Sequence, residues 1–164
     1  MKFKNLVLTL GVLMMLAFTS MAAAAPSQVN RSMTAINAAK AEIPAVCELV
    51  GYNVDGDTSI ITFKDPNTLE RYVVDVNTAT AKVQEIEVKG ATFVMGSTMV
   101  TKTPDDIEKI VVKNYPNAYE IVITQGQDGN NIYYIADFLT DKFDGELKLD
   151  PVTGAICERE LEYF

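Results

Sequence analysis

The 164-residue chain contains no histidine. That absence excludes Ser-His-Asp and Cys-His catalytic sites, because nothing else supplies a neutral-pH base in the same role. It also excludes the histidine-bearing zinc sites of metalloproteases. The two cysteines, Cys47 and Cys157, cannot hold a structural zinc by themselves. Neither GxxxxGK(S/T) nor GxGxxG occurs, so no glycine-rich phosphate loop is present.

Positive charge is scarce as well. Fourteen Lys and Arg face 22 Asp and Glu, for a net charge of −8. An acidic surface repels phosphate backbones and anionic head groups. Nucleic acid and membrane surfaces are therefore not expected partners, whereas a basic protein or a cation is. Acids alone leave one catalytic chemistry open, the paired-carboxylate hydrolase. Most of them, however, stand beside glycines or alternate along strand-like runs, where turns and solvated faces account for them. No enzyme activity, cofactor or metal site is expected. The acidic turns DGDT (Asp55 to Thr58) and DKFDGE (Asp141 to Glu146) lack the twelve-residue ligand spacing of a calcium loop. They read as hairpin turns.

Long apolar runs are missing beyond the first residues. Leu6 to Phe18, LVLTLGVLMMLAF, follows Lys2 and Lys4 and precedes SMAAAAP. The run is too short to span a bilayer comfortably, and its flanks fit a secretory signal cleaved after Ala24. No cysteine directly after it marks a lipid attachment. The expected mature chain keeps 140 residues and a charge of −10. Its location is expected to be the periplasm, the cell envelope or the outside of the cell. Both cysteines survive the cleavage. In an oxidising compartment an even count suggests a bridge between Cys47 and Cys157, with two buried free thiols as the alternative.

What is present alternates. Arg31 to Ile43 reads as a helix with Ser32 as N-cap, and Pro44 ends it. Four strand-like runs follow: Val46 to Val54, Ser59 to Lys64, Leu69 to Val76 and Lys82 to Val88. Gly90 to Thr98 is a connector or an extra strand. The pattern then restarts. Thr103 caps a helix opened by Pro104, and Pro116 ends it. Runs at Ala118 to Gln125, Ile132 to Phe138, Gly145 to Asp150 and Ala155 to Leu161 complete it. Pro44 and Pro116 are 72 residues apart; Val83 and Ile156 are 73 apart. The expected fold is thus α+β, as two tandem repeats, each one helix packed on a four-stranded antiparallel β-meander. The expected boundaries are a signal at 1–24, repeat 1 at 25–89, a connector at 90–102 and repeat 2 at 103–164.

The second repeat closes on LKLDPVTGAICERELEY, Leu147 to Tyr163; the first has the looser VVDVNTATAKVQEIE, Val73 to Glu87. A strand, DPxTG and an acid-rich strand, preceded by a helix and proline, resembles the PepSY domain. The layout is also similar in topology to secreted β-lactamase inhibitor proteins. The PepSY resemblance implies a helix on an antiparallel sheet and a role in restraining peptidases, and it supplies no catalytic residues. A propeptide-like action in cis is not expected, so inhibition would occur in trans, against a partner such as a secreted metallopeptidase.

Rigid aromatics suit protein recognition. Tyr133, Tyr134, Phe138 and Phe143, with Asp141 and Asp144, are the candidate binding residues. Alternation implies that about half of the aromatics face the core. A Cys47–Cys157 bridge would close a loop of about 110 residues and stabilise by about 4–5 kcal/mol on chain-entropy grounds. The leading expectation is an exported, non-catalytic protein that inhibits or modulates a secreted peptidase. An envelope-associated structural or sensory module with a non-peptidase partner, and an acidic cation-binding protein, are the alternatives.

Overall fold

The computed structural model describes residues 28–90 and 96–164. The signal at 1–24 and positions 91–95 of the connector lie outside the described residues. The elements are α1 (Gln28–Ala41), β1 (Glu48–Asp55), β2 (Thr58–Lys64), β3 (Arg71–Asn77) and β4 (Val83–Lys89). They continue with α2 (Pro104–Asn114), β5 (Tyr119–Asp128), β6 (Asn131–Leu139), β7 (Phe143–Leu149) and β8 (Ile156–Tyr163). Among the described residues no helix is long and apolar enough to cross a membrane.

The start of α2 follows local chemistry. Thr103 caps α2 in a capping box: its Oγ1 accepts from the Asp106 amide at 3.3 Å, and the Asp106 carboxylate accepts from the Thr103 amide at 3.0 Å. Pro104 occupies the first turn, where its missing N–H costs nothing. Ile107 and Val111, one turn apart, are fully buried. By contrast α1 begins at Gln28, so Ser32 lies inside the helix and does not cap it.

Three turns share one build. In DPNTL (65–69), NTATA (77–81) and DPVTG (150–154), Oδ1 of the leading Asp or Asn accepts from the amides two and three residues on. The threonine hydroxyl then accepts from the amide two residues beyond it. The fifth residue has positive φ: 63° at Leu69, 56° at Ala81 and 75° at Gly154. Asx and Thr side chains thus fix the loop, and only the third copy has the glycine its backbone favours.

The eight strands form one antiparallel sheet in the order β1-β2-β3-β4-β8-β7-β6-β5. This corrects the expectation of two tandem repeats, each a helix on its own four-stranded meander. The last strand of each run, β4 and β8, would be a sheet edge in a separate unit. Each instead pairs with the other, from Glu85 opposite Glu162 to Lys89 opposite Glu158. Pairing removes two edges that would otherwise expose unpaired amides and carbonyls. Both helices lie on the same face. One row of this face runs Ile61, Val74, Ile86, Leu161, Gly145, Phe138 across six strands, so a single core crosses the seam. Gly145 is required there: a Cβ at this position would stand 2.4 Å from the Phe138 ring.

Strand order also corrects the expected disulfide. Cys47 immediately precedes β1 and Cys157 lies in β8, with β2, β3 and β4 between. Four strand spacings of ~4.8 Å separate them by about 19 Å, whereas a bridge needs Cα atoms within about 7 Å. Both thiols are free. Burial, then the carboxylates of Asp65 and Glu70, push the Cys47 thiol above its ordinary value.

Candidate functional site

Because both helices cover one face, the other is bare among the described residues. Its side chains form rows across the strands. One row holds Asp75, Glu85, Glu162 and Asp144 on β3, β4, β8 and β7. The next holds Glu87, Glu160, Glu146 and Asp137 on β4, β8, β7 and β6. Each acid sits directly opposite the next. A third row is basic, with Arg71, Lys89 and Lys148, and Glu158 held between the two lysines at 3.8 and 3.4 Å.

The alternation of the sequence builds this face. In β4, Val83 through Lys89, apolar residues Ile86 and Val88 point to the core while Glu85 and Glu87 point away. In β7, Leu147 and Leu149 point inward while Asp144, Glu146 and Lys148 point outward. Apolar side chains flank the acids on the same face: Val73 on β3, Ile135 and Tyr133 on β6, and Val122 on β5, which is 54% exposed.

Two of the eight carboxylates are ion-paired among the described residues, Glu87 with Lys89 and Glu146 with Lys148 at 3.4 Å. The others repel. Burial pushes the Asp75 carboxyl up, and Glu87 adds to it. Glu85 is raised by burial, then by Glu160, Asp75, Glu162 and Glu87. Asp137 is raised by burial, then by Glu146 and Asp144. Glu160 is raised by burial and Glu146, with Lys148 opposing. Like charges placed directly opposite destabilise a sheet by roughly 0.2–1 kcal/mol per pair. The face is therefore arranged against its own stability. Asp137, Asp144, Glu146, Glu160 and Glu162 line a shallow open hollow of about 180 Å³. Among the described residues no group of three or more Cys, Asp or Glu could hold a metal ion.

The structure divides the six residues singled out from the sequence. Asp144 belongs to the first acidic row. Tyr133 lies on the bare face, half-buried and packed across Gly126. Tyr134 and Phe138 are buried: the Tyr134 hydroxyl donates to the Lys102 carbonyl at 2.8 Å, and the Phe138 ring lies 4.7 Å from Tyr115. Phe143 is half-buried on the helix side, 5.4 Å from the Tyr163 ring. Asp141 is exposed in the β6–β7 turn. From the sequence alone the alternating acids read as a solvated face. The signal was present in Glu85-x-Glu87, Asp144-x-Glu146 and Glu158-x-Glu160-x-Glu162, but only the β4–β8 pairing shows that they meet.

No protein-family model matches the chain, and no curated protein matches it by sequence. Two solved structures are similar in outline. One is a protein of Clostridium difficile 630 that carries a lipoprotein name. It is 17% identical at a TM-score of 0.32, with 78% of this chain and 90% of that one covered. The other is a BLIP-like protein of Bacteroides fragilis NCTC 9343, 11% identical at a TM-score of 0.34, with 79% and 85% covered. Likenesses this distant carry no argument about what this chain binds.

Proposed function

We propose that the chain is an exported, non-catalytic binding protein that presents the bare face of its sheet to a basic partner protein. One observation carries this reading. Two adjacent rows of carboxylates stand opposite one another across five strands, at a cost to stability, with half of them raised in pKa. A solubilising charge needs no such convergence; scattered acids would serve. Breaking a local rule without a compensating gain in the fold points to function. Cationic side chains from a partner would relieve the repulsion, and the rigid sheet fixes their spacing. Val73, Ile135, Tyr133 and Val122 supply apolar contact at the margins.

A secreted peptidase, restrained in trans, is the partner to test first. The resemblance of LKLDPVTGAICERELEY to PepSY domains supports this choice, as do the signal-like first 24 residues, which fit export alongside a secreted enzyme. The exported chain should be titrated into the secreted metallopeptidase activity of its source organism. Saturable inhibition near one-to-one stoichiometry, weakened by salt, is expected. Undiminished proteolysis at large excess would remove the peptidase and leave the acidic face to another basic protein of the envelope.

A further inference from the structure

The sheet has two edges, β1 and β5, and the fold treats them differently. Helix α2 packs on β5 and β6, whereas α1 packs on β2 and β3. Ile121 and Ile123 of β5 are accordingly half-buried against the core. The helix-side residues of β1 are not: Leu49, Tyr52 and Val54 remain 44, 38 and 40% exposed. On α1, Val29 and Met33 are 71 and 53% exposed. A groove of about 380 Å³ runs between helix and strand, with Arg31, Tyr52, Val54 and Asp57 among its walls.

Edge strands usually carry devices against pairing: bulges, lysines, prolines or inward charges. β5 has a register break between Tyr119 and Val122 with Glu120 at a φ of 51° inside it, and its outer half is polar. β1 has a break only near its start, between Leu49 and Gly51. From Gly51 to Asp55 its register with β2 is unbroken, and ELVGYNVD contains neither lysine nor proline.

We infer that β1 is a strand-addition site for an extended partner segment with apolar side chains at alternate positions and a basic residue at each end. Among the described residues no strand pairs with the outer side of β1, so its outward backbone groups supply main-chain hydrogen bonds, and the groove beside Tyr52 and Val54 receives the side chains set opposite them. The ends of the strand set the charge. Glu48 and Asp55 are both exposed acids. Full-length antiparallel pairing of β1 with a second copy would set Glu48 against Asp55 twice, and like charges directly opposite are unfavourable. A segment ending in lysine or arginine meets both acids with opposite charge. The edge therefore selects against its own copy and for a basic-ended strand. This site is separate from the bare sheet face and stands whether or not that face binds a peptidase.

The test uses the full exported chain and two labelled peptides, Lys-Val-Thr-Val-Thr-Val-Lys and its counterpart with glutamate at both ends; seven residues match the seven positions that β2 sets against β1 and keep both end charges on the face of Glu48 and Asp55. The lysine-ended peptide should give saturable anisotropy, with the glutamate-ended one weaker by about tenfold or more. Hydrogen exchange should slow at β1 and not across β4, β8 and β7. Val54→Lys places a charge in the edge and should weaken binding, while Glu48→Lys with Asp55→Lys should invert the preference between the peptides. All three positions are exposed, and circular dichroism verifies folding. Binding of neither peptide, equal binding of both, protection on the acidic rows in place of β1, or a wild-type dimer in sedimentation with β1 already protected would each overturn the assignment.

Discussion

Glu85 of β4 stands directly opposite Glu162 of β8, at the seam where the two runs of strands become one sheet. Asp75 faces Glu85 from the other side. The central carboxylate is thus flanked by two others while half-buried itself. Replacing it with the neutral isostere, Glu85→Gln, should stabilise the protein by about 0.5–1.5 kcal/mol in low salt, the sum of two relieved cross-strand repulsions discounted for solvent screening. Urea melts in low and high salt measure this. The gain should shrink with added salt.

The same repulsion sets a pH dependence. The carboxyls of Asp75, Glu85, Asp137 and Glu160 all lie above their ordinary values in the folded state, with burial the leading cause. The folded chain therefore holds protons that the unfolded chain has released. Stability from these groups is fully present below the ordinary carboxylate values, 3.8 for Asp and 4.5 for Glu, and is lost as pH rises through the raised ones. Asp106 and Asp150 act in the opposite sense. Hydrogen bonds from Thr103 lower Asp106; at Asp150 burial pushes upward, and the bonds from Thr153 and Val152 outweigh it. Their contribution is lost as pH falls through the lowered values. Thermal melts from about pH 4 to pH 8 should show a maximum on the acid side of neutrality. Glu85→Gln should flatten the alkaline limb.

The turns show how much the sequence tells. DPVTG was legible as a turn because it carries its glycine, and NTATA was legible only as a weakened copy. Structurally they match, since Asn77 and Thr80 make the same bonds as Asp150 and Thr153. Helix ends near Pro44 and Pro116 were readable for the same local reason. The pairing of β4 with β8 was not. Alternation says which face a residue takes but not which strand lies beside it, so neither the single sheet nor the meeting of Glu85 with Glu162 could be read. The aromatics show the same limit: alternation implied that about half of them face the core, and Tyr134 and Phe138 are buried while Tyr133 and Phe143 are half-buried on opposite faces of the sheet.

Those turns carry a prediction. A non-glycine residue in the left-handed region costs roughly 1–2 kcal/mol. Ala81→Gly, at a φ of 56°, should therefore stabilise by up to about 1 kcal/mol after the loss of a partly packed methyl group and the added freedom of the unfolded chain. Gly154→Ala should destabilise by more than Ala81→Gly gains, because its Cβ would also stand 2.5 Å from Ile110. Denaturant midpoints at constant slope measure both.

Gly145 and Phe138 form the matched contact on the core side. Gly145→Ala forces the ring from a site bounded by Tyr115 at 4.7 Å and Phe143 at 6.2 Å. Overpacking of this kind costs about 1–3 kcal/mol. Adding Phe138→Leu should cost less in the Gly145→Ala background than in the wild type, a coupling that a double-mutant cycle on urea stability reads directly.

The cysteines give a covalent check on strand order. Peptide mapping under non-reducing conditions should recover Cys47 and Cys157 as free thiols, and reductant should leave the melting temperature unchanged. A Cys47–Cys157 cross-linked peptide would contradict the order β1-β2-β3-β4-β8.

One comparison separates a binding role for the acidic face from a role as surface charge. Inhibition of the secreted metallopeptidase activity is titrated with the wild-type chain and with the triple variant Glu85→Gln, Glu160→Gln, Glu162→Gln. The variant should melt at a higher temperature yet lose inhibition, because the acids trade stability for binding. A variant that is more stable and inhibits as well as the wild type would show that the carboxylate rows are surface charge alone.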